Sequence, residues 1–122
     1  MRKIEEKVIK TMWNFLDGKV ACGKYTLSKR DRVEFQDNVV RYFLWNSNIF
    51  KVEKWRGRLR LEFSDNGYAT QTTYSRLKAL VNAFILPGDS LYIRKGFLYI
   101  KNSHDTSQFC DLSIENIFEV EE

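Results

Sequence analysis

A single histidine, His104, in a chain of 122 residues removes the parts for much metal and nucleophile chemistry before any motif is sought. No His-rich metal site can form, and a Cys or Ser triad has only one candidate base. The two cysteines, Cys22 and Cys110, stand far apart without CxxC spacing. That excludes a zinc ribbon or a disulfide framework and points to a reducing compartment. The six glycines form no Walker-type or dinucleotide-type pattern, so nucleotide hydrolysis and hydride transfer have no support. No segment approaches the roughly 20 apolar residues of a membrane span. Residues 1–15 alternate charged with apolar side chains, unlike a signal peptide. A cytoplasmic protein without a membrane partner is expected, and neither linker, low-complexity tract nor internal repeat divides the chain.

Bulky packing groups, by contrast, are plentiful. Nine Phe, six Tyr and three Trp, within 43% apolar residues, argue against a disordered chain and for one domain over residues 1–122. A monomer or small homo-oligomer fits that size. The formal net charge is only +4, but Lys51, Lys54, Arg56, Arg58 and Arg60 against Glu53 put all of it into ten residues. Glu115, Glu119, Glu121 and Glu122 make the C-terminal end acidic. A basic pole of this kind favours an anionic partner.

Periodicity divides the chain into elements. Ile4, Val8, Met12, Phe15 and Leu16 recur at helical spacing, and Gly18 suits the residue after a helix end. Tyr25 with Leu27, and Val33 with Phe35, read as the halves of a hairpin around residues 28–32. Residues 39–45 form a β-branched and aromatic run closed by a turn at Asn46, Ser47 and Asn48, with residues 49–54 as its partner strand. Trp55, Arg56 and Gly57 make the next turn. In residues 58–63, Leu59, Leu61 and Phe63 alternate with Arg58, Arg60 and Glu62, so one face is buried and one is wet. Residues 72–84 carry Leu77, Leu80, Val81 and Phe84 at i, i+3, i+4 and i+7, a helix stopped by Pro87 and Gly88. Residues 91–94 and 97–101 pair about Lys95 and Gly96. Residues 109–112 add a strand, and residues 113–122 form either a short helix or an edge strand. The fold class is α+β: an antiparallel sheet of five to seven strands packed by one central amphipathic helix, plus an N-terminal helix.

Two groups of residues are candidate binding sites. Lys51, Lys54, Arg56, Arg58 and Arg60, with Trp55 and Tyr68 as stacking groups, match the cation and aromatic mixture that holds single-stranded nucleic acid. An ordinary solvated strand face carries the same pattern, and the aromatics equally suit a core. The second group is Thr70, Thr72, Thr73 and Ser75 with Arg76, where helix amides and a guanidinium could hold a phosphate or carboxylate. The competing reading makes Thr72 or Thr73 a helix cap. Arg76, bordering the apolar stripe, then lies over the sheet and pairs with a strand carboxylate. Glu5 and Lys7 match a nuclease spacing only at chance level, with no aspartate to complete a metal site. His104, among Asn102, Ser103, Asp105 and Thr106, reads as a solvated loop residue.

The stretch Gly67-Tyr68-Ala69-Thr70-Gln71-Thr72-Thr73-Tyr74-Ser75-Arg76-Leu77-Lys78-Ala79-Leu80 resembles a motif of short, functionally unassigned proteins of bacteriophages and other mobile elements. That motif runs from Gly-Trp through threonines to Ser-Arg-Leu-Asn-Ala-Leu. Tyr68 stands in place of the tryptophan and Lys78 in place of the asparagine. Residues 43–49 and 94–100 extend the resemblance on either side, as do Arg2, Ile4 and Glu5. It implies origin and fold more than activity. Together with the missing catalytic parts, it motivates the expectation of a non-catalytic accessory protein without cofactor or metal. Such a protein binds and obstructs a host protein or ribonucleoprotein complex, for example a defence system such as CRISPR-type nuclease machinery. The alternative is a nucleic-acid-binding module using the basic strand face.

Overall fold

The computed structural model describes residues 2–19, 22–84, 90–101 and 106–121. Pro87, Gly88 and His104 lie outside the described residues. The elements, in chain order, are α1 (Lys3–Leu16), β1 (Gly23–Thr26), β2 (Asp31–Gln36), β3 (Val39–Leu44), β4 (Ser47–Trp55), β5 (Arg58–Phe63), α2 (Gln71–Phe84), β6 (Ser90–Arg94), β7 (Phe97–Lys101), β8 (Thr106–Asp111) and β9 (Asn116–Glu121).

Two-residue turns build most of the β structure. Asp37 and Asn38, Trp45 and Asn46, Arg56 and Gly57, and Lys95 and Gly96 all have positive φ, as a turn matching the strand twist requires. Each joins antiparallel neighbours, so β2 to β5 form one continuous meander. The turn expected at residues 46–48 falls one position earlier. Ser47 already pairs with Leu44, which leaves Trp45 (φ 51°) to take the first left-handed position. A bulky side chain is unusual there, since the left-handed region crowds its Cβ at a cost of about 1–2 kcal/mol. Likewise Trp55 belongs to β4, opposite Arg58, and only Arg56 and Gly57 turn.

The six-stranded sheet has the order β1-β2-β3-β4-β5-β9, and β6-β7-β8 form a second, three-stranded sheet. The expected α+β class and strand number hold for the larger sheet, while the second sheet is additional. Residues 113–122 resolve in favour of the strand: β9 closes the far edge of the larger sheet against β5, bringing Phe118 opposite Leu61 and Val120 opposite Leu59.

Alternation sorts the larger sheet into two faces. Val33, Val40, Tyr42, Phe50, Val52, Leu59, Leu61 and Phe63 point inward and are buried. Both helices cover that inner face. Val8, Met12, Phe15 and Leu16 of α1 and Leu77, Leu80, Val81 and Phe84 of α2 join the same apolar cluster, with Leu91, Leu98 and Leu112 from the smaller sheet and its margin. Each fully buried leucine or phenylalanine contributes about 1.5–3 kcal/mol by leaving water. Phe50 stacks on Phe63 (centroids 5.6 Å apart) and Phe63 on Phe118 (5.7 Å), so an aromatic row crosses three strands. Cys110 is buried, its thiol pushed up to about 12 by burial and by Asp111, whereas Cys22 is exposed; both are free. No helix among the described residues is long and apolar enough to cross a membrane.

Candidate functional site

Arg76 is held in the interior. Its side chain is 3% exposed, and its Nε donates to Asp31 Oδ1 (2.8 Å) while Nη2 reaches Oδ2 (3.3 Å). Nη1 donates to Glu5 Oε2 (2.9 Å). The surrounding hydroxyls complete the set: Tyr42 donates to Asp31 Oδ1, Ser28 to Asp31 Oδ2 (2.7 Å) and Ser75 to Glu5 Oε2 (2.6 Å). The Arg2 backbone N–H donates to Glu5 Oε1 (3.1 Å). One guanidinium thus joins α1, β2 and α2, with Tyr42 anchoring β3.

The electrostatics follow from burial. Burial alone would raise the Asp31 carboxyl, but hydrogen bonds from Arg76, Tyr42 and Ser28, with the Arg76 charge, hold it below its ordinary value. Tyr42 is pushed upward by burial and by the Asp31 carboxylate, so its phenol stays protonated. Burial disfavours the charged form of Arg76, yet its two carboxylate partners raise its pKa above the ordinary value. Buried charges persist only when paired in this way.

Arg76 therefore pairs with a strand carboxylate, the second of its two readings, and each of its three side-chain nitrogens donates to a carboxylate. Thr73 is buried, and the helix cap is neither Thr72 nor Thr73: Thr70 Oγ1 accepts from the Thr73 backbone N–H (3.2 Å). The cap position precedes Gln71, the first helical residue, which leaves Thr72 and Thr73 inside the first turn.

The basic strand residues lie on the opposite side of the sheet. Lys51, Arg58 and Arg60 point outward, and each meets a glutamate: Lys51 with Glu62 at 3.0 Å, Arg60 with Glu62 at 3.6 Å and Arg58 with Glu119 at 3.5 Å. In register, Arg60 lies between Glu53 of β4 and Glu119 of β9. Glu62 is accordingly held below the usual carboxylate range: burial opposes this, and Lys51, Arg60 and a Glu115 hydrogen bond together outweigh it. The ten-residue charge excess is thus interleaved with acids from neighbouring strands. Lys54 faces the other way and its Nζ donates to the Leu16 carbonyl (3.2 Å) at the end of α1, where helix carbonyls attract a cation. The Arg56 guanidinium lies 4.5 Å from the centre of the Trp55 ring. Trp55 and Tyr68 are both exposed rather than core, and they lie beyond opposite ends of β5. The sheet itself separates Lys51, Arg58 and Arg60 from Thr72, Thr73 and Arg76, so the two candidate groups do not form one site.

Reading by periodicity missed Glu5, Asp31 and Tyr42 as partners of Arg76. A signal existed: Glu5 falls in phase with Val8, Met12 and Phe15, and Arg76 with Thr73 and Leu80, so each charge sits on a buried stripe. Also missed was the end of the sheet where Lys29, Arg30 and Trp45 meet. Trp45 is 63% exposed there, and its backbone N–H donates to the Arg30 carbonyl (2.9 Å). Arg32 Nη1 donates to Asn46 Oδ1 (2.6 Å) while its guanidinium lies over the Phe43 ring. Among the described residues, no group of three or more His, Cys, Asp or Glu side chains is placed to hold a metal ion.

A family model described as Kyanoviridae Gp96 protein matches residues 1–118. The chain belongs to that family, a phage protein family, in agreement with the phage resemblance of the sequence. No curated protein and no solved structure matches it.

Proposed function

We propose that this member of a phage protein family is a non-catalytic accessory protein that works in the host cytoplasm by binding and obstructing a host protein or ribonucleoprotein complex. A defence system such as CRISPR-type nuclease machinery is one target of that kind. The observation that carries the reading is how the polar groups are used. The buried ionisable groups Glu5, Asp31, Tyr42 and Arg76 bond to one another and to Ser28, Ser75 and the Arg2 amide, and two of the large exposed side chains, Trp45 and Trp55, sit in or beside hairpin turns. Exposed aromatics flanked by arginines are the residues that anchor protein interfaces.

The test is capture of host lysate proteins on the immobilised chain, with and without nuclease treatment. A stoichiometric partner that survives nuclease supports the reading, and recovery of none from lysate containing the host machinery overturns it. A partner lost on nuclease treatment favours the nucleic-acid alternative, which must then work through a face whose cations are interleaved with glutamates. Turnover of a substrate by homogeneous protein, abolished by one substitution in a groove, would remove the non-catalytic assignment.

A further inference from the structure

We infer that the Trp45 end of the six-stranded sheet is the docking surface, and that its occupant is an acidic, extended segment of a partner protein; the inference rests on the binding role proposed above. Two open grooves meet at this end. One, of about 70 Å³, is bordered by Thr26, Ser28, Lys29, Arg30, Arg32 and Trp45. The other, of about 290 Å³, is lined by Arg2, Ile4, Ser28, Arg30, Asp31 and Arg76. Ser28, Arg30 and Asp31 line both, so Arg30 stands between Trp45 on one side and Ile4 on the other.

Three of the cations at this end are uncompensated. Asp31 is the only acid lining either groove, and it is already taken by Arg76. Arg2, Lys29 and Arg30 are exposed and have no ion-pair partner among the described residues, unlike Lys51, Arg58 and Arg60 on the outer face. Trp45 supplies the apolar anchor. In the other three two-residue turns, the corresponding position carries the polar residue Asp37, Arg56 or Lys95. Only here does a large aromatic occupy a backbone conformation that disfavours it.

Carboxylates spaced along an extended chain complement Arg2, Lys29 and Arg30, and one apolar side chain of that chain covers Trp45. A single-stranded nucleic acid fits less well. It needs a continuous cationic track and successive stacking rings, whereas the cations here end where Glu34 pairs with Arg32 at 2.7 Å.

The decisive measurement is fluorescence anisotropy with a dye-labelled glutamate-rich peptide carrying two leucines, alongside a dye-labelled oligothymidylate. The expected result is saturable, salt-weakened binding of the peptide. Arg30→Glu and Trp45→Asn each lower affinity by about tenfold or more, and Lys78→Glu on the exposed side of α2 leaves it unchanged. Asparagine tolerates the left-handed turn, so Trp45→Asn should also melt at a higher temperature than the parent, which separates lost binding from lost folding. Absence of peptide binding, affinity of either variant equal to the parent's, or preference for the oligothymidylate overturns the inference. Lysate capture with the same variants keeps the two proposals apart. If Trp45→Asn and Arg30→Glu still recover the partner that the parent recovers, this surface is wrong and the host-complex reading stands. If the parent recovers nothing, that reading fails while the peptide titration still decides the chemistry of the surface.

Discussion

The two faces of the six-stranded sheet carry the same kinds of charged side chain with opposite energetic weight. On the inner face, Arg76, Asp31 and Glu5 are each no more than 3% exposed and bound to one another or to hydroxyls. On the outer face, Arg58 and Glu119 are about half exposed and 3.5 Å apart. Removing an ion from water costs several kcal/mol, so the inner set is stable only when complete. An exposed pair gives up little hydration and gains about 0–1 kcal/mol. Spacing in the sequence looks similar for both, and burial alone assigns their importance.

The comparison breaks most sharply at Arg76. Arg76→Met should lower unfolding free energy by about 3–5 kcal/mol in urea titrations, because Asp31 and Glu5 are left buried without a cation. Combining it with Asp31→Asn and Glu5→Gln should recover a large part of that loss. A cost below about 1 kcal/mol would place the inner cluster in the same class as the outer pairs.

Acid titration sharpens the contrast. Because the folded-state pKa of Asp31 is lowered, its contribution is fully present above its ordinary unfolded value of about 3.9 and is lost as pH falls through the lower folded value. Stability measured from pH 5 downward should therefore fall less steeply in Asp31→Asn than in the parent. An unchanged acid limb would refute the assignment.

Smaller effects are expected at the sheet ends and outer face. Trp45→Asn should stabilise by about 1 kcal/mol and raise the melting temperature by a few degrees, by relieving the left-handed tryptophan. Smallest of all, Arg58→Ala should stay within about 0.5 kcal/mol of the parent in the same urea titration. A larger loss there would show that the outer face also works as a coupled network.

Much of the architecture could be read along the chain because its causes are local. The stripe of α2, the alternation of β5 and the Lys95 and Gly96 turn all arise within a few residues, and each stands where its pattern places it. The Trp45 turn was misplaced because its first position holds a residue that local preference argues against. The cap at Thr70 was displaced because a helix start moves by one or two residues at little cost.

Periodicity along the chain was enough to establish the two helices, the meander from β3 to β5 and which apolar residues of the helices and of β5 face inward. It had no means to reveal that Glu5 meets Arg76 across 71 positions, that β9 lies beside β5, or that β6 to β8 form a sheet of their own. Those pairings depend on which surfaces are brought together when the whole core closes. The same closure turns one arginine into an internal brace and leaves another, Arg30, facing solvent between two grooves.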